Sequence, residues 1–421
     1  MGQLQEVERY IQEGDVEALN LLLDELTKST DLDMLYEAAS LLAAYGFMGE
    51  ADRLYETLLF HLPEEAQLKI DRASTLIELG QEDEALLLLS EVDSQDEEYV
   101  QALLALADYY QMTGLAETAL SKIKEAHTLL PDEPVIRFAY AELLLDAGKF
   151  GEAARFYLDL KKEVEVISDV SINARLAETY SAGAAYEEAI PYYEEMLQDR
   201  KLPDTIFGAA FAYYQIGNAE RSVSLLDELI DIDPDYFSAY MLAGQAQILA
   251  GNDELAYETF LSGIGRDEYD KELQLSAGKC ALKLGRTEDA EVHLKEALAL
   301  DPEYVDALIT LASLYNENER DTELLELLSY AKDEKQEIPL LMAFLAYAYE
   351  RLEQYDDAYE SFSKAYSEMK EDYEFLTKYA RFLVEEGKQN EASEVVKQLV
   401  TLFPEDQNWR AFLEAQNDEE V

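Results

Sequence analysis

The sequence predicts an all-α protein, a right-handed α-solenoid superhelix of about 11–12 stacked helical hairpins with a C-terminal capping helix. Three observations lead to this prediction: a period of 34 residues, small residues at two fixed positions of the period, and prolines confined to two phases. The 421 residues are 48% hydrophobic, which is enough apolar material for a packed fold. In a solenoid each hairpin packs only on its neighbours, so this length does not require several separate cores.

The period is marked by turns that end an apolar, helix-like run. Their spacing is 34 residues, except for one spacing of 36 before Ala184 and one of 33 after it. The grid also passes through Glu319 and Glu353, where glycine is missing as it is at Ala184. Glycine occupies the other turns, at Gly46, Gly80, Gly114, Gly148, Gly217, Gly251, Gly285 and Gly387. Eleven repeat units are therefore in register.

Two positions in each unit hold small residues, which predicts close helix crossings. Seven residues before the turn every residue is alanine or glycine, as at Ala141 and Gly244. Five residues after the turn nine of eleven positions are alanine, as at Ala290. Nine after the turn the residue is large and apolar, as at Phe260. Small side chains let two helices approach, and the large one fills the adjacent space.

The positions of the prolines support the same division of the chain into repeat units, because proline suits a helix start or a link and disrupts a helix interior. Five prolines fall 17 residues after a turn and three fall 14 before the next one. Each unit is therefore predicted to run helix, turn, helix, link. Pro191 alone breaks the rule, because it falls inside a predicted second helix.

This pattern resembles the tetratricopeptide repeat, whose unit is a helical hairpin with small residues at two crossings, an aromatic or leucine residue and a closing proline. The run from Tyr240 to Pro302 carries the resemblance clearly, as do Leu345, Ala346, Tyr349, Ala358 and Phe362 in a later unit. The chain looks like large acidic cytosolic bacterial proteins of this family. In the family the first helices line a concave groove that takes a peptide, and the resemblance implies such a groove here.

The predicted domain organisation has three parts. Residues 1–32 form a degenerate N-terminal unit, residues 33–404 form the repeat array, and residues 405–421 form a capping helix with an acidic tail. Trp409, the sole tryptophan, is interpreted as shielding the last apolar face of the array rather than binding a ligand. Residues 161–203 hold both irregular spacings and Pro191, so a hinge is expected there.

Charge limits the possible partners. There are 91 acidic and 33 basic residues, for a net charge of −58. A field of this sign repels phosphate, so binding to nucleic acid or to an anionic membrane surface is not expected. No signal-like segment and no apolar run long enough to span a bilayer is present, so a cytoplasmic protein is expected.

The search for catalytic or metal-binding residues finds none that fit a known arrangement. The three histidines, His61, His127 and His293, lie in different units, and Cys280 lies in an apolar run as a small core residue would. No phosphate-binding glycine loop is present. The sequence therefore predicts a non-enzymatic protein without cofactor or metal.

The predicted binding residues lie ten, six and three residues before the turns, an i, i+4, i+7 stripe on one face of the first helices. The stripe mixes aromatic and acidic residues, which suit an apolar and basic ligand. The alternative for Phe207 and Phe211 is that they only pack between hairpins. The candidates are Leu104, Asp108, Phe138, Glu142, Glu178, Phe207, Phe211, Tyr214 and Met241.

These features favour a protein-interaction scaffold or adaptor that binds a basic or amphipathic segment of a partner protein in its groove. A second interpretation is an acidic regulator that occupies a nucleic-acid-binding protein by charge mimicry. The sequence leaves open which protein is the partner, whether the groove or the convex surface binds it, and what the oligomeric state is.

Overall fold

The computed structural model describes residues 3–330 and 338–419, with side chains except at residues 330 and 414–419. The chain divides into two compact units, Met1–Ile216 and Gly217–Val421. The first unit contains thirteen described helices and one short pair of strands. The elements are α1 (Gln3–Glu13), α2 (Val16–Leu26), α3 (Leu32–Ala44), α4 (Met48–His61), α5 (Ala66–Glu78), α6 (Glu82–Ser90), α7 (Tyr99–Met112), α8 (Ala116–Leu129), α9 (Pro134–Asp146), α10 (Phe150–Lys161), β1 (Val166–Ile167), β2 (Val170–Ser171), α11 (Ile172–Ala182), α12 (Tyr186–Asp199) and α13 (Pro203–Gln215).

Within the described residues of the second unit, α-helices are the only regular secondary structure. Its helices are α14 (Ala219–Ile232), α15 (Phe237–Leu249), α16 (Asp253–Ile264), α17 (Lys271–Lys283), α18 (Thr287–Leu300), α19 (Val305–Glu317), α20 (Asp321–Tyr330), α21 (Pro339–Arg351), α22 (Tyr355–Tyr366), α23 (Tyr373–Glu385), α24 (Gln389–Leu402) and α25 (Gln407–Glu419).

Consecutive helices pair as hairpins in both units. Six hairpins, from α1/α2 to α11/α12, are followed by α13 in the first unit. In the described part of the second unit, α14 precedes five hairpins, from α15/α16 to α23/α24, and α25 follows them. Each hairpin packs on the next one within its unit, as α4 packs on α5 and α16 on α17. The predicted all-α solenoid is thereby confirmed for each unit.

The turns have the backbone that the glycine grid predicts. Every glycine of the grid has a positive φ, between +70° and +83°. The grid positions without glycine adopt the same left-handed conformation, with φ of +56° at Ala184, +54° at Glu319 and +61° at Glu353. Gly14, in the turn between α1 and α2, has a φ of +69°, so the first hairpin ends its first helix in the same way.

The two helices of a hairpin meet at the predicted crossings. Ala141 and Ala290 are fully buried. At Gly244 the fit is so close that a Cβ would lie 2.2 Å from the ring of Phe260, and at Gly278 a Cβ would lie 2.9 Å from Leu294. The small residue seven before the turn therefore makes room for the large residue nine after it.

The irregular spacing before Ala184 corresponds to an insertion between α10 and α11. The sequence predicts essentially no sheet, whereas β1 and β2 form a two-stranded antiparallel ladder that pairs Val166 with Ser171 and Ile167 with Val170. The two residues of its loop, Ser168 and Asp169, both have positive φ, as a tight type I′ hairpin turn requires. The longer period thus contains a compact hairpin of residues 166–171 rather than a longer helix.

The predicted hinge region, residues 161–203, lies inside the first unit. Pro191 is within α12, which continues from Tyr186 to Asp199. The boundary between the two compact units falls after Ile216, outside the predicted region. A bend at residues 161–203 stays a prediction.

The last described helix, α25, packs on α24. Trp409 is half-buried against the apolar core of the second unit, together with Phe412 and Leu413. The ring centroids of Trp409 and Phe412 are 5.7 Å apart. A half-buried aromatic pair at this position suits a cap that shields the final hairpin, which remains the interpretation of Trp409.

Candidate functional site

The predicted binding residues lie on alternate helices, the first helix of each hairpin. Those of the first unit lie on α7, α9, α11 and α13, and Met241 lies on α15 of the second unit. Spacings of three and four residues place the residues of each helix on one face. The candidate site described below is the face of α7, α9, α11 and α13 within the first unit.

Asp108 on α7 is exposed, and its pKa is nevertheless raised by desolvation. A carboxyl on an open surface keeps its hydration and therefore its ordinary pKa. The raised pKa of the exposed Asp108 indicates that neighbouring protein restricts the access of water to its carboxyl group. Asp108 makes no ion pair within the described part of the chain. Leu104, one turn earlier, is half-buried against the core. The helix thus presents a carboxylate with incomplete hydration beside an apolar side chain.

Glu142 on α9 is half-buried at the centre of a polar network. It accepts a hydrogen bond from the hydroxyl of Tyr157, a fully buried residue of α10. Arg175 of α11 lies beside it, with Nη2 2.8 Å from the Glu142 carboxylate. Desolvation raises the pKa of Glu142, while Tyr157 and Arg175 oppose that shift. Burial, together with the carboxylate of Glu142, raises the pKa of Tyr157.

Arg175 also joins Glu142 to Glu178, the next predicted carboxylate. Its Nη1 lies 2.7 Å from Glu178, which is exposed. The structure therefore brings Glu142 and Glu178 together through a cation that the sequence prediction missed. The i, i+3 spacing of Arg175 and Glu178 is a signal that would have found this pair. One positive charge serves two carboxylates, so the cluster remains net negative.

The predicted aromatic residues differ in exposure. Phe138 is only 9% exposed and packs with its ring centroid 5.9 Å from that of Tyr157, so it belongs mainly to the core. Phe207, Phe211 and Tyr214 are half-buried on α13. The ring of Phe211 contacts Tyr186 edge to face at 5.8 Å, and Tyr186 is a residue that the prediction did not include. Three successive turns of α13 thus present partly accessible rings.

Met241, in the second unit, is half-buried on α15. Its sulfur accepts a hydrogen bond from the hydroxyl of Ser276 on α17, at 3.5 Å. Thioether sulfur is a weak acceptor, and the flexible side chain adapts readily to an apolar neighbour.

Cys280 and His293, two residues capable of chemistry, are used in packing. Cys280 is buried, donates to the backbone oxygen of Asp253 at 3.3 Å, and has a pKa raised by desolvation. His293 is bound by Tyr257 through Nε2 and by Gln274 through Nδ1, and desolvation lowers its pKa. Within residues 3–330 and 338–419, no three histidine, cysteine, aspartate or glutamate residues are grouped so that they could hold a metal ion. No helix in those residues has both the length and the apolar composition needed to cross a membrane.

Comparison with known proteins identifies the family. The chain is 37% identical to the TPR repeat-containing protein YpiA of Bacillus subtilis (strain 168) over 400 residues, which cover 95% of this chain and 94% of that protein. The chain belongs to the YpiA-like family of tetratricopeptide-repeat proteins. Residues 111–164 match the model of the YpiA-like repeats and residues 339–406 the model of the YpiA-like C-terminal repeats. Residues 181–248 and 281–339 match a general tetratricopeptide repeat model.

Two solved structures are similar to parts of the YpiA-like chain at low sequence identity. The structure of Naa15/Naa10 bound to HypK-THB covers 91% of this chain and 65% of its own, with 14% identity and a TM-score of 0.45. The crystal structure of YrrB, described as a TPR protein with an unusual peptide-binding site, covers 44% of this chain and 95% of its own, with 17% identity and a TM-score of 0.37. Membership of the YpiA-like family supports a role as a protein-interaction scaffold.

Proposed function

We propose that the face formed by α7, α9, α11 and α13 binds a basic or amphipathic segment of a partner protein. The observation that carries this proposal is the run of Asp108, Glu142 and Glu178 on three successive first helices, followed by the half-buried rings of α13. A ligand along this face would meet carboxylates first and aromatic rings at the end.

The carboxylates favour a cationic ligand because they are incompletely neutralised. Arg175 is shared between Glu142 and Glu178, and Asp108 has no ion pair among the described residues. Desolvation already raises the pKa of Asp108 and Glu142, so a lysine or arginine beside them relieves a cost that the free protein carries. Burying a well-hydrated surface carboxylate would offer no such gain.

The rings of α13 supply the apolar part of the proposed contact. Phe207, Phe211 and Tyr214 are spaced i, i+4 and i+7 on α13 and are each half-buried. Such rings are anchored by their neighbours yet keep surface that a ligand can cover, as Phe211 does beside Tyr186. Aromatic residues of this kind dominate the binding energy of many peptide interfaces.

The test compares three synthetic peptides of equal length: a basic amphipathic one, a basic one without apolar residues, and an acidic amphipathic one. We expect the basic amphipathic peptide to bind best and to keep most of its affinity at raised salt, because apolar burial is barely screened. Equal binding of both basic peptides, lost steeply with salt, would instead support charge mimicry. Preferred binding of the acidic peptide would refute the proposal.

Replacing two rings tests the position of the site. We expect Phe207→Ala combined with Phe211→Ala to weaken binding of the basic amphipathic peptide by about 2 kcal/mol, the scale of buried aromatic contacts. Phe60→Ala is the matched control, because Phe60 lies on α4, away from this face, and is 83% exposed. Circular dichroism checks folding. If the double variant unfolds, the rings are core residues and the packing alternative holds.

A further inference from the structure

Helix α6 is shorter than the second helices on either side of it. It has 9 residues, whereas α4 and α8 have 14. Residues 91–98 follow it and contain five acids, Glu91, Asp93, Asp96, Glu97 and Glu98, with no basic residue. We call this segment the acidic turn.

The acidic turn has a defined hydrogen-bonded structure. The Asp93 carboxylate accepts from the backbone N–H of Gln95 at 2.9 Å, and the Asp96 carboxylate accepts from the backbone N–H of Asp93 at 3.1 Å. The backbone N–H of Asp96 donates to the oxygen of Asp93 at 2.9 Å. These bonds compete with helical ones, which explains why α6 ends early and why its final turns are missing.

The missing helical turns leave a cavity of about 390 Å³ between α6, α7 and α8. Its walls include Leu89, Ala102 and Leu103, each only 1% exposed, so they belong to the rigid core of the unit. Leu86 and Tyr110 are half-buried on its sides. A cavity of this size falls at the small end of ligand pockets, roughly 300–1,000 Å³, and suits one or two apolar side chains.

Carboxylates lie next to the cavity, although none of them is among the residues that line it. The acidic turn forms one side, with Ser90 and Ser94 lining the cavity. On the other side, the Tyr99 hydroxyl donates to Glu125 at 2.7 Å, and the Nζ of Lys122 lies 4.0 Å from the same carboxylate. Lys122 is the only basic residue in the lining, and Glu125 partly neutralises it. The lining combines apolar side chains with Ser90, Ser94 and Lys122, and the carboxylates lie beside it, in the acidic turn and at Glu125. Such a pocket favours an apolar group whose neighbours in the chain are cationic.

We propose that this cavity is a second peptide-binding site, which takes one large apolar side chain of a basic segment while flanking lysine or arginine residues contact the acidic turn. Its lining residues are separate from the face of α7, α9, α11 and α13 that carries the proposed scaffold function, and the proposal does not depend on that function. A second copy of this chain is a poor occupant, because its net charge of −58 would bring like charge to the opening.

The probe is a nine-residue fluorescent peptide with a central phenylalanine and two lysines on each side, separated by alanines. Its partner probe has alanine at the centre. We expect fluorescence anisotropy to show at least tenfold tighter binding of the phenylalanine probe, because only its ring fills the cavity. Equal binding of the two probes would mean attraction to the acidic surface alone and would overturn the proposal.

Filling the cavity provides the second test. Ser90→Trp places a ring in the lining, and Ser121→Trp is the matched control on the exposed surface of α8. We expect Ser90→Trp to weaken binding of the phenylalanine probe at least tenfold and Ser121→Trp to leave it unchanged. Unchanged binding by a folded Ser90→Trp variant would refute the site.

Two further measurements separate this proposal from the scaffold proposal. The variant with Phe207→Ala and Phe211→Ala should keep the preference for the phenylalanine probe over the alanine probe, whereas a loss of this preference would place the central ring on the other face. If Ser90→Trp fails to fold, a probe with a central benzoylphenylalanine is crosslinked to the unaltered protein instead. Crosslinks to α6 or the acidic turn are expected, and crosslinks confined to other helices would contradict the proposal.

Discussion

Three of the turns between the helices of a hairpin carry a side chain where the backbone is left-handed. Ala184, Glu319 and Glu353 have φ between +54° and +61°, in the position that glycine holds in the other turns. A non-glycine residue in this conformation costs roughly 1–2 kcal/mol, because Cβ approaches the following carbonyl oxygen. The packing of the hairpins on both sides must therefore hold the turn in place.

Replacing such a residue with glycine should stabilise the protein. We expect Glu353→Gly to raise stability by about 0.5 kcal/mol, since relief of backbone strain exceeds the extra freedom of glycine in the unfolded chain. The reverse change, Gly46→Ala, should lower stability by about 1 kcal/mol. A Cβ at Gly46 would meet no atom within 4 Å, so the loss would come from the backbone alone. Urea denaturation measures both, and a stabilising Gly46→Ala would contradict this account.

Gly244 illustrates the second role of a small residue, which is to leave space. We expect Gly244→Ala to destabilise the protein by about 1–3 kcal/mol, because the new methyl group would overlap the buried ring of Phe260. Gly151→Ala in α10 is the matched control, because a Cβ there meets nothing within 4 Å, and it should be neutral or stabilising. A double-mutant cycle with Phe260→Leu should recover part of the loss. No recovery would mean that the crossing is not the cause.

At the scale of the helix, scarce basic residues connect consecutive hairpins. The residue after the turn is basic at Lys149, Arg286, Arg320 and Lys388, and the first three reach a carboxylate of the preceding hairpin. The distances are 3.2 Å from Lys149 to Glu117, 2.6 Å from Arg286 to Glu254 and 2.5 Å from Arg320 to Glu291. Contacts between neighbouring repeats make the folded state of one repeat stabilise the folded state of the next. This coupling makes the unfolding of a solenoid cooperative.

Glu291 is the most strongly bound of these carboxylates. Arg320 contacts both of its oxygens, and Lys295 and Tyr315 bind it as well. These hydrogen bonds, led by the one from Arg320, lower the pKa of Glu291 to about 2. A carboxyl whose pKa is lowered by folding adds stability above its unfolded pKa, and that stability is lost as the pH falls through the folded pKa.

We therefore expect Glu291→Gln to destabilise the second unit by about 2 kcal/mol at pH 7, the scale of hydrogen bonds to charged groups. The difference from the unaltered protein should narrow as the pH falls from about 5 toward 2, where Glu291 itself takes up a proton. Glu296→Gln, an exposed position on the same helix, should have little effect. Hydrogen exchange of α18 and α19 gives the measurement. If the destabilisation caused by Glu291→Gln did not change with pH, the charge of Glu291 would be excluded as its cause.

The helices and their crossings were predictable because each depends on residues at a fixed spacing, as Ala141 and Gly244 show. The β1–β2 ladder was not predictable, because two extra residues in one period show that an insertion is present but do not determine its backbone conformation. The contact of Arg175 with both Glu142 and Glu178 joins two helices. Only the contact between Arg175 and Glu178 has a signal in the sequence, which is the i, i+3 spacing. The cavity beside α6 was not predictable, because it results from helical turns that are absent, and six of the eleven units, including this one, lack the closing proline.

For the whole molecule, charge is the dominant property. With 91 acids and 33 bases, most carboxylates have no basic counterpart even if every base forms a pair. The imbalance is steepest in residues 1–120, which contain 27 acids and 5 bases. Folding brings these charges closer together than they are in the unfolded chain, so mutual repulsion opposes the compact state.

Removing negative charge from one unit should show how much charge repulsion in that unit lowers the stability of the protein. In the first unit, Glu8, Glu56 and Glu64 are exposed and make no ion pair among the described residues. Changing all three to glutamine should therefore reduce the response of the melting temperature to salt. The same change at Glu258, Glu296 and Glu326 in the second unit, which are also exposed, is the matched control, and it should reduce that response less because bases are more frequent in residues 217–421 than in residues 1–120.

The melting temperature of the unaltered protein should rise as sodium chloride increases from about 10 to about 150 mM. Over that range the screening length falls from roughly 30 Å to roughly 8 Å, which removes repulsion between distant carboxylates. Pairs in contact, such as Arg320 with Glu291, are partly buried and are weakened much less. The repulsion acts between distant carboxylates, whereas the attraction acts within ion pairs in contact. Salt therefore weakens the repulsion more than the attraction, and the folded state becomes more stable. A melting temperature that falls over this range would mean that the ion pairs between hairpins outweigh the excess negative charge.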